Sequence, residues 1–201
     1  MAHLWTQAKA EGRDWYYLDN AYFDAARERY FRVTKNGLQH AGEGVSDGAR
    51  WTALGLRIAP WRAPGRRVVV CPSSPEFMRV VQGWTQDWTA WAVDRLTAMT
   101  RRERVVRTKR DARPLAEDLQ DAWAVVAHTS CSALEALLAG VPVFVTGESP
   151  ARHVGKTELA AIETPTRPMH GARLKVMQVL ADNQWTLEEI SRGHAWQVLN
   201  R

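Results

Sequence analysis

Trp123-Ala124-Val125-Val126-Ala127-His128-Thr129-Ser130-Cys131-Ser132-Ala133-Leu134-Glu135-Ala136-Leu137-Leu138-Ala139-Gly140-Val141-Pro142-Val143 decides the fold. Its first five residues are apolar without alternation, the pattern of a strand buried on both faces. Residues 131–139 then read as a helix, and Gly140 stands where a helix C-terminus favours glycine. Val141 to Val145 is apolar again and ends at Gly147. Strand, helix and strand in that order make a βαβ unit, the building block of a parallel sheet.

Working outward, the same alternation continues upstream. Arg67-Val68-Val69-Val70-Cys71 is a β-branched run stopped by Pro72-Ser73-Ser74-Pro75. Residues 83–99 read as a helix carrying Trp84, Trp88 and Trp91 at i, i+4 and i+7. That stripe is either core packing or an aromatic platform for a base or sugar. Arg104 to Arg107 reads as a strand, and residues 114–120 as a short helix with Pro114 in its first turn. The expected class is α/β with a Rossmann-like parallel sheet. Downstream, residues 172–182 and 186–192 read as helices, the second opened by a Thr186–Glu189 capping box. A helix-turn-helix is disfavoured there because Glu188 and Glu189 would repel phosphates. Packing of this tail on the main domain is expected instead.

The N-terminal third is less regular. Residues 2–11 read as a helix. Trp15 to Leu18 reads as a strand closed by Asp19-Asn20, and Tyr30 to Val33 as another, ended by the turn Lys35-Asn36-Gly37. Residues 37–66 are rich in Gly, Arg and Pro and read as an irregular connection.

Composition narrows the class. The 201 residues carry a net charge of +5, with 45% hydrophobic and 24% charged residues. That is ordinary for a globular protein, and the basic excess favours anionic partners. No run reaches the length of a membrane-spanning helix, and the N-terminus lacks the signal-peptide pattern, so a cytoplasmic protein is expected. In that compartment Cys71 and Cys131 are expected to be reduced packing residues, with a disulfide as the alternative. No Cys/His spacing suggests a metal site.

The turn His128-Thr129-Ser130-Cys131-Ser132 carries the strongest chemical signal. In open α/β sheets ligands bind beyond the carboxyl ends of the strands. Small hydroxyl residues where a strand feeds a helix suit phosphate oxygens. Glu135, one turn on, could accept from ribose hydroxyls. The alternative is that Thr129 or Ser130 simply caps the helix. Asp19 is a candidate general base towards an acceptor hydroxyl, or else part of an Asx-turn. His40 and His128 are alternative bases. His153, Lys156 and Thr157 follow the fourth strand, where a pyrophosphate could be clamped.

The run from Ser130 through Glu135-Ala136-Leu137-Leu138 to Gly140-x-Pro142-Val143 resembles the donor-binding segment of GT-B glycosyltransferases, in particular the capsule-polysaccharide type. Leu119-x-Asp121-Ala122-Trp123 before it and Gly147 after it fit the same pattern. The resemblance covers residues 67–155 and is moderately specific, because UDP-sugar epimerases of the GT-B fold share it. It implies a nucleotide-sugar-binding domain over 67–201 and a reduced N-terminal, acceptor-side α/β segment over 1–66. It further implies a nucleotide-sugar donor as co-substrate, with no other cofactor and no metal. Thr129, Ser130, Ser132 and Glu135 would hold the donor, with Arg107, Lys109, His153 and Lys156 meeting its phosphates and Asp19 as base. The acceptor would be hydroxymethylated phage-type DNA or a polysaccharide. A homodimer or partner subunit would complete the cleft. The alternative is a non-catalytic nucleotide- or nucleic-acid-binding protein derived from a GT-B half. Two departures bear on this choice. Val143 stands where many GT-B enzymes carry a second Glu, and Arg107-Thr108-Lys109-Arg110 stands where the capsule-type relatives carry a Lys/Arg-Pro-His-Pro segment.

Overall fold

The computed structural model describes residues 2–23, 29–108 and 111–201, with side chains from Leu4 onward. They form two compact units, Met1–Leu56 with Lys175–Arg201, and Arg57–Leu174.

The second unit is built on a four-stranded, all-parallel sheet in a Rossmann-like α/β arrangement. Its strands are β3 (Arg67–Cys71), β4 (Glu103–Val106), β5 (Ala122–Ala127) and β6 (Val143–Val145), in the order β4-β3-β5-β6. β3 is central, with Val69 opposite Val105 on one side and Val125 on the other. Both faces of such a strand are covered, which is why its sequence is continuously apolar. Val68, Val69 and Val70 are fully buried, each contributing roughly 1.5–3 kcal/mol relative to exposure. On one face Val68, Val70, Ala124, Val126 and Phe144 pack with Met78, Trp88, Ala92 and Leu96 in a single apolar cluster. Helix α6 (Ser132–Leu138) packs on β5 and β6 and buries Ala133, Leu134, Ala136 and Leu137. Gly140 follows it at φ 77°. A Cβ there would stand 2.0 Å from the Pro60 carbonyl oxygen, so only glycine fits.

The helix expected over 83–99 begins later. α3 (Pro75–Val80) and α4 (Trp88–Met99) are separate helices. Gly83, at φ 68°, turns the chain, and the Asp87 carboxylate starts α4 by accepting from the Thr89 and Ala90 N–H groups at 2.7 and 3.3 Å. Trp88 and Trp91 are therefore helical, while Trp84 stands in the loop before them. Pro114 precedes α5 (Leu115–Asp118) as its N-cap rather than lying in its first turn. Residues 57–66, expected to belong with the N-terminal segment, fold with the parallel sheet. Ala59 N–H donates to Leu138 O, Arg62 N–H to Gly140 O and Arg66 N–H to Asp121 O.

The first unit contains helix α1 (Ala2–Ala10), α2 (Ala49–Ala53) and an antiparallel sheet of β1 (Tyr16–Asn20), β2 (Tyr30–Lys35) and β7 (Gln184–Thr186), in the order β1-β2-β7. Asp19 and Asn20 lie inside β1 rather than in a turn after it. β7 has too few residues to announce itself as a strand, yet Phe31 pairs with Trp185. After α7 (His170–Asp182) the tail therefore joins this sheet. The capping box forms as read, with the Glu189 N–H donating to the Thr186 hydroxyl and the Thr186 N–H to the Glu189 carboxylate. It opens α8 (Leu187–Ser191), and α9 (His194–Leu199) follows. Val33, Trp185 and Ala195 form one apolar cluster in this unit. The buried Gln184 amide brackets Phe23, accepting from its N–H at 3.0 Å and donating to its carbonyl at 3.1 Å.

Among the described residues no helix is long and apolar enough to cross a membrane.

Candidate functional site

From β3 the chain steps out to β4 on one side and then to β5 on the other. Strand order therefore reverses between β3 and β5, and a crevice opens beyond their carboxyl ends. Ser73 and Thr129 stand at those two ends. Their hydroxyls lie 3.1 Å apart, closing a hydrogen bond across the switch point.

The turn into α6 is organised by its own hydroxyls. Ser130 Oγ accepts from the Ser132 N–H at 3.3 Å and donates to Ser132 Oγ at 3.0 Å. Cys131, directly before α6, makes no side-chain capping bond, and the Ser130 hydroxyl instead satisfies the N–H of the first helical residue, Ser132. The first helical N–H groups are used internally, Ala133 donating to Ser130 O and Leu134 to Cys131 O. What the turn offers a ligand is therefore hydroxyl groups rather than a fan of open backbone donors.

Four further groups act on the Cys71 thiol at the end of β3. Burial pushes that thiol up to about 12, a hydrogen bond from Ser132 acts the other way, and the charges of Glu135, Arg107 and Asp118 are all felt there. Cys71 is thus an inert, packed thiol at neutral pH, and no disulfide joins it to Cys131. Arg107 ends β4 with its side chain 11% exposed. Its Nε lies 3.4 Å from Asp118 and its Nη1 3.5 Å from Asp111, and it also donates to the Arg113 carbonyl. Asp118 is buried and also binds Arg113 at 2.6 Å.

His128 directly follows β5. Its Nδ1 lies 2.9 Å from Thr146 Oγ1, which also accepts from the Trp88 indole N–H at 3.0 Å. The rings of Trp84 and Trp88 stand 5.6 and 5.9 Å from it. Burial lowers its pKa to about 4, so the imidazole is neutral at pH 7 and too weak a base for acceptor activation there. Gly147 makes room for it, because a Cβ at that position would stand 2.6 Å from Cε1 and Nε2. Trp84 and Trp88, which flank His128, also wall a cavity of about 490 Å3 that is lined by Met78 and reaches Ser73.

The structure thus joins Thr129 to Ser73 and Ser130 to Ser132, and places Ser132 against the Cys71 thiol, which also feels the charges of Arg107 and Glu135. Lys156 is occupied elsewhere. Its backbone pairs with Val143 and Val145, and its ammonium donates to the Thr164 carbonyl at 2.6 Å. His153 is exposed at the end of the 3-10 turn Pro150–His153. Lys109 lies outside the described residues. Asp19 belongs to the first unit, where Arg32 holds its carboxylate at 2.6 Å and the Tyr17 hydroxyl donates to it at 3.3 Å. His40, in the same unit, has its pKa lowered by burial, with Glu43 opposing, and its Nδ1 accepts from the Gly42 N–H. Among the described residues no group of three or more His, Cys, Asp or Glu is arranged to hold a metal ion. Ser73 escaped the sequence reading, and Trp84 entered it only as part of the tryptophan stripe. The Ser-Ser pair directly after β3 was the available signal for the first, once β3 is placed beside β5. No protein-family model and no curated protein matches the sequence.

Proposed function

We propose that the Arg57–Leu174 unit binds a nucleotide-sugar donor beyond the carboxyl ends of β3 and β5, and that the chain is a nucleotide-sugar-dependent glycosyltransferase of GT-B type. The observation that carries this reading is the Ser73–Thr129 hydroxyl pair at 3.1 Å, placed where strand order reverses and opening onto the Trp84 cavity. The hydroxyls of Ser73, Thr129 and Ser130 donate to phosphate oxygens. Arg107 offsets the diphosphate charge by exchanging its exposed partner Asp111 for phosphate while keeping the buried Asp118. Glu135 is exposed one turn along α6, within reach of ribose hydroxyls. In the transfer the sugar–phosphate bond breaks, the acceptor oxygen bonds to the sugar, and the acceptor proton leaves to a base. The net charge of +5 favours a polyanionic acceptor, such as DNA bearing hydroxymethyl groups, over a neutral polysaccharide.

A second reading, a non-catalytic nucleotide-binding protein, is favoured by one observation. The carboxylate put forward as base, Asp19, is already neutralised by Arg32. Incubation with a panel of UDP-, CMP- and GDP-sugars separates the two. Slow donor hydrolysis, or transfer to hydroxymethylated DNA, supports the enzyme. Binding without turnover of any donor supports the binding protein, and no binding at all overturns both.

A further inference from the structure

The cavity beside Ser73 is walled differently from a phosphate site. Trp84 leaves the helix pattern and supplies its wall. The Trp84 N–H donates to the Met78 carbonyl at 3.0 Å, which fixes the loop. Its ring meets Trp91 edge-on at 5.3 Å and His128 edge-on at 5.6 Å. A half-buried indole clamped from two sides is a rigid platform that loses little entropy when a ligand covers it.

The rest of the lining is polar and of mixed character. Glu76, Gln86, Thr85 and Thr89 supply acceptors and donors, and Arg79 supplies one cation against the carboxylates of Glu76 and Asp87. That balance disfavours a phosphate dianion. It suits a neutral ring with apolar C–H faces and hydroxyls around its rim. A second cavity of about 340 Å3 adjoins the first, lined by Trp84, Thr85, Gln86 and Trp91 among others. The larger one, at about 490 Å3, is in the range of small-molecule sites. Trp84, Thr85 and Gln86 line both, so the two cavities are neighbours.

We infer that this pair of cavities is a saccharide site, taking a neutral pyranose ring stacked on Trp84 with room for a second ring towards Trp91. The inference deepens the nucleotide-sugar reading and rests on it for one point: Ser73, which lines the cavity, also bonds Thr129 at the switch point. The ring is either the sugar of the donor or a sugar of the acceptor.

Calorimetric titration of the full chain with maltose, cellobiose and N,N′-diacetylchitobiose, and separately with UDP and UDP-glucose, tests the site. At least one disaccharide should bind, and Trp84→Ala should weaken it about tenfold or more while UDP affinity stays within about twofold, a stacked ring being worth ~1–3 kcal/mol. Gln86→Ala and Glu76→Ala alter exposed side chains and should each weaken the disaccharide several-fold, so the test survives if Trp84→Ala does not fold. Competition between the disaccharide and UDP-glucose but not UDP assigns the ring to the donor sugar. Simultaneous binding assigns it to the acceptor, and both outcomes support the site. Absence of binding by any disaccharide, or binding indifferent to all three substitutions, overturns it. UDP binding without disaccharide binding overturns this inference alone, and disaccharide binding with no binding of any UDP-, CMP- or GDP-sugar overturns the donor reading alone.

Discussion

Ser73 Oγ and Thr129 Oγ1 stand 3.1 Å apart although 56 residues separate them in the chain. The parallel pairing of β3 with β5, which sets Cys71 opposite Ala127, brings the two loops together. Thr129→Val keeps the shape of the side chain and removes its hydroxyl. Nucleotide-sugar affinity should fall about fivefold in calorimetry, the worth of a net hydrogen bond of ~1 kcal/mol, and Ser73→Ala should do the same. Unchanged affinity in both variants would take the switch point out of the site.

The Thr146 hydroxyl serves the Trp88 indole N–H and His128 Nδ1 together. Thr146→Val leaves a buried indole donor without its acceptor, which costs ~1–3 kcal/mol. Gly147→Ala should also destabilise, by ~1–3 kcal/mol, because its Cβ would press on the His128 ring at 2.6 Å and force a shift. Urea denaturation of the two variants measures both losses. A change below about 0.5 kcal/mol in either would show that the surroundings of His128 repack freely.

His128 gives the protein a defined acid sensitivity. In the unfolded chain its imidazole takes up a proton below about pH 6.5, whereas burial in the native state delays protonation to about pH 4. Between those values the unfolded state binds more protons, so stability rises with pH. The contribution is complete above about pH 6.5 and is lost as pH falls towards about 4. Urea midpoints measured from pH 7.5 down to pH 4.5 should therefore fall more steeply for the wild type than for His128→Gln. Parallel curves would contradict the burial of this ring.

Asp118 is the buried carboxylate that Arg107 and Arg113 share, with its side chain 4% exposed. Asp118→Asn preserves the outline and removes the charge, leaving the Arg107 guanidinium with the exposed Asp111 carboxylate and the Arg113 carbonyl. Breaking a buried pair in this way costs ~3–5 kcal/mol. Thermal and urea unfolding should show a loss of that order. A loss under about 1 kcal/mol would show that Arg107 relaxes into solvent.

The parallel sheet was legible because burial on both faces writes itself as unbroken apolar runs. β3, β5 and β6 read directly from Val68–Val70, Val125–Val126 and Val143–Val145. The antiparallel sheet was harder to read because β7 has only Gln184, Trp185 and Thr186, too few residues for a period to show. The tryptophan stripe misled through spacing: Trp84 has helical register with Trp88 and Trp91, but Gly83 and the Asp87 cap decide the start of α4. The site was half legible. Thr129, Ser130, Ser132 and Glu135 lie in one continuous motif. Ser73 and Trp84 join it only through the strand order, which no local pattern encodes.

A nucleotide sugar held between the loops after β3 and β5 should slow hydrogen exchange in both loops at once. Hydrogen exchange of the full chain, with and without each UDP-, CMP- and GDP-sugar, measures this. With the correct donor, the amides of Ser73, Ser74 and Glu76 and of residues 128–133 should gain protection together. Protection confined to segments outside residues 57–174, or none with any donor, would contradict it.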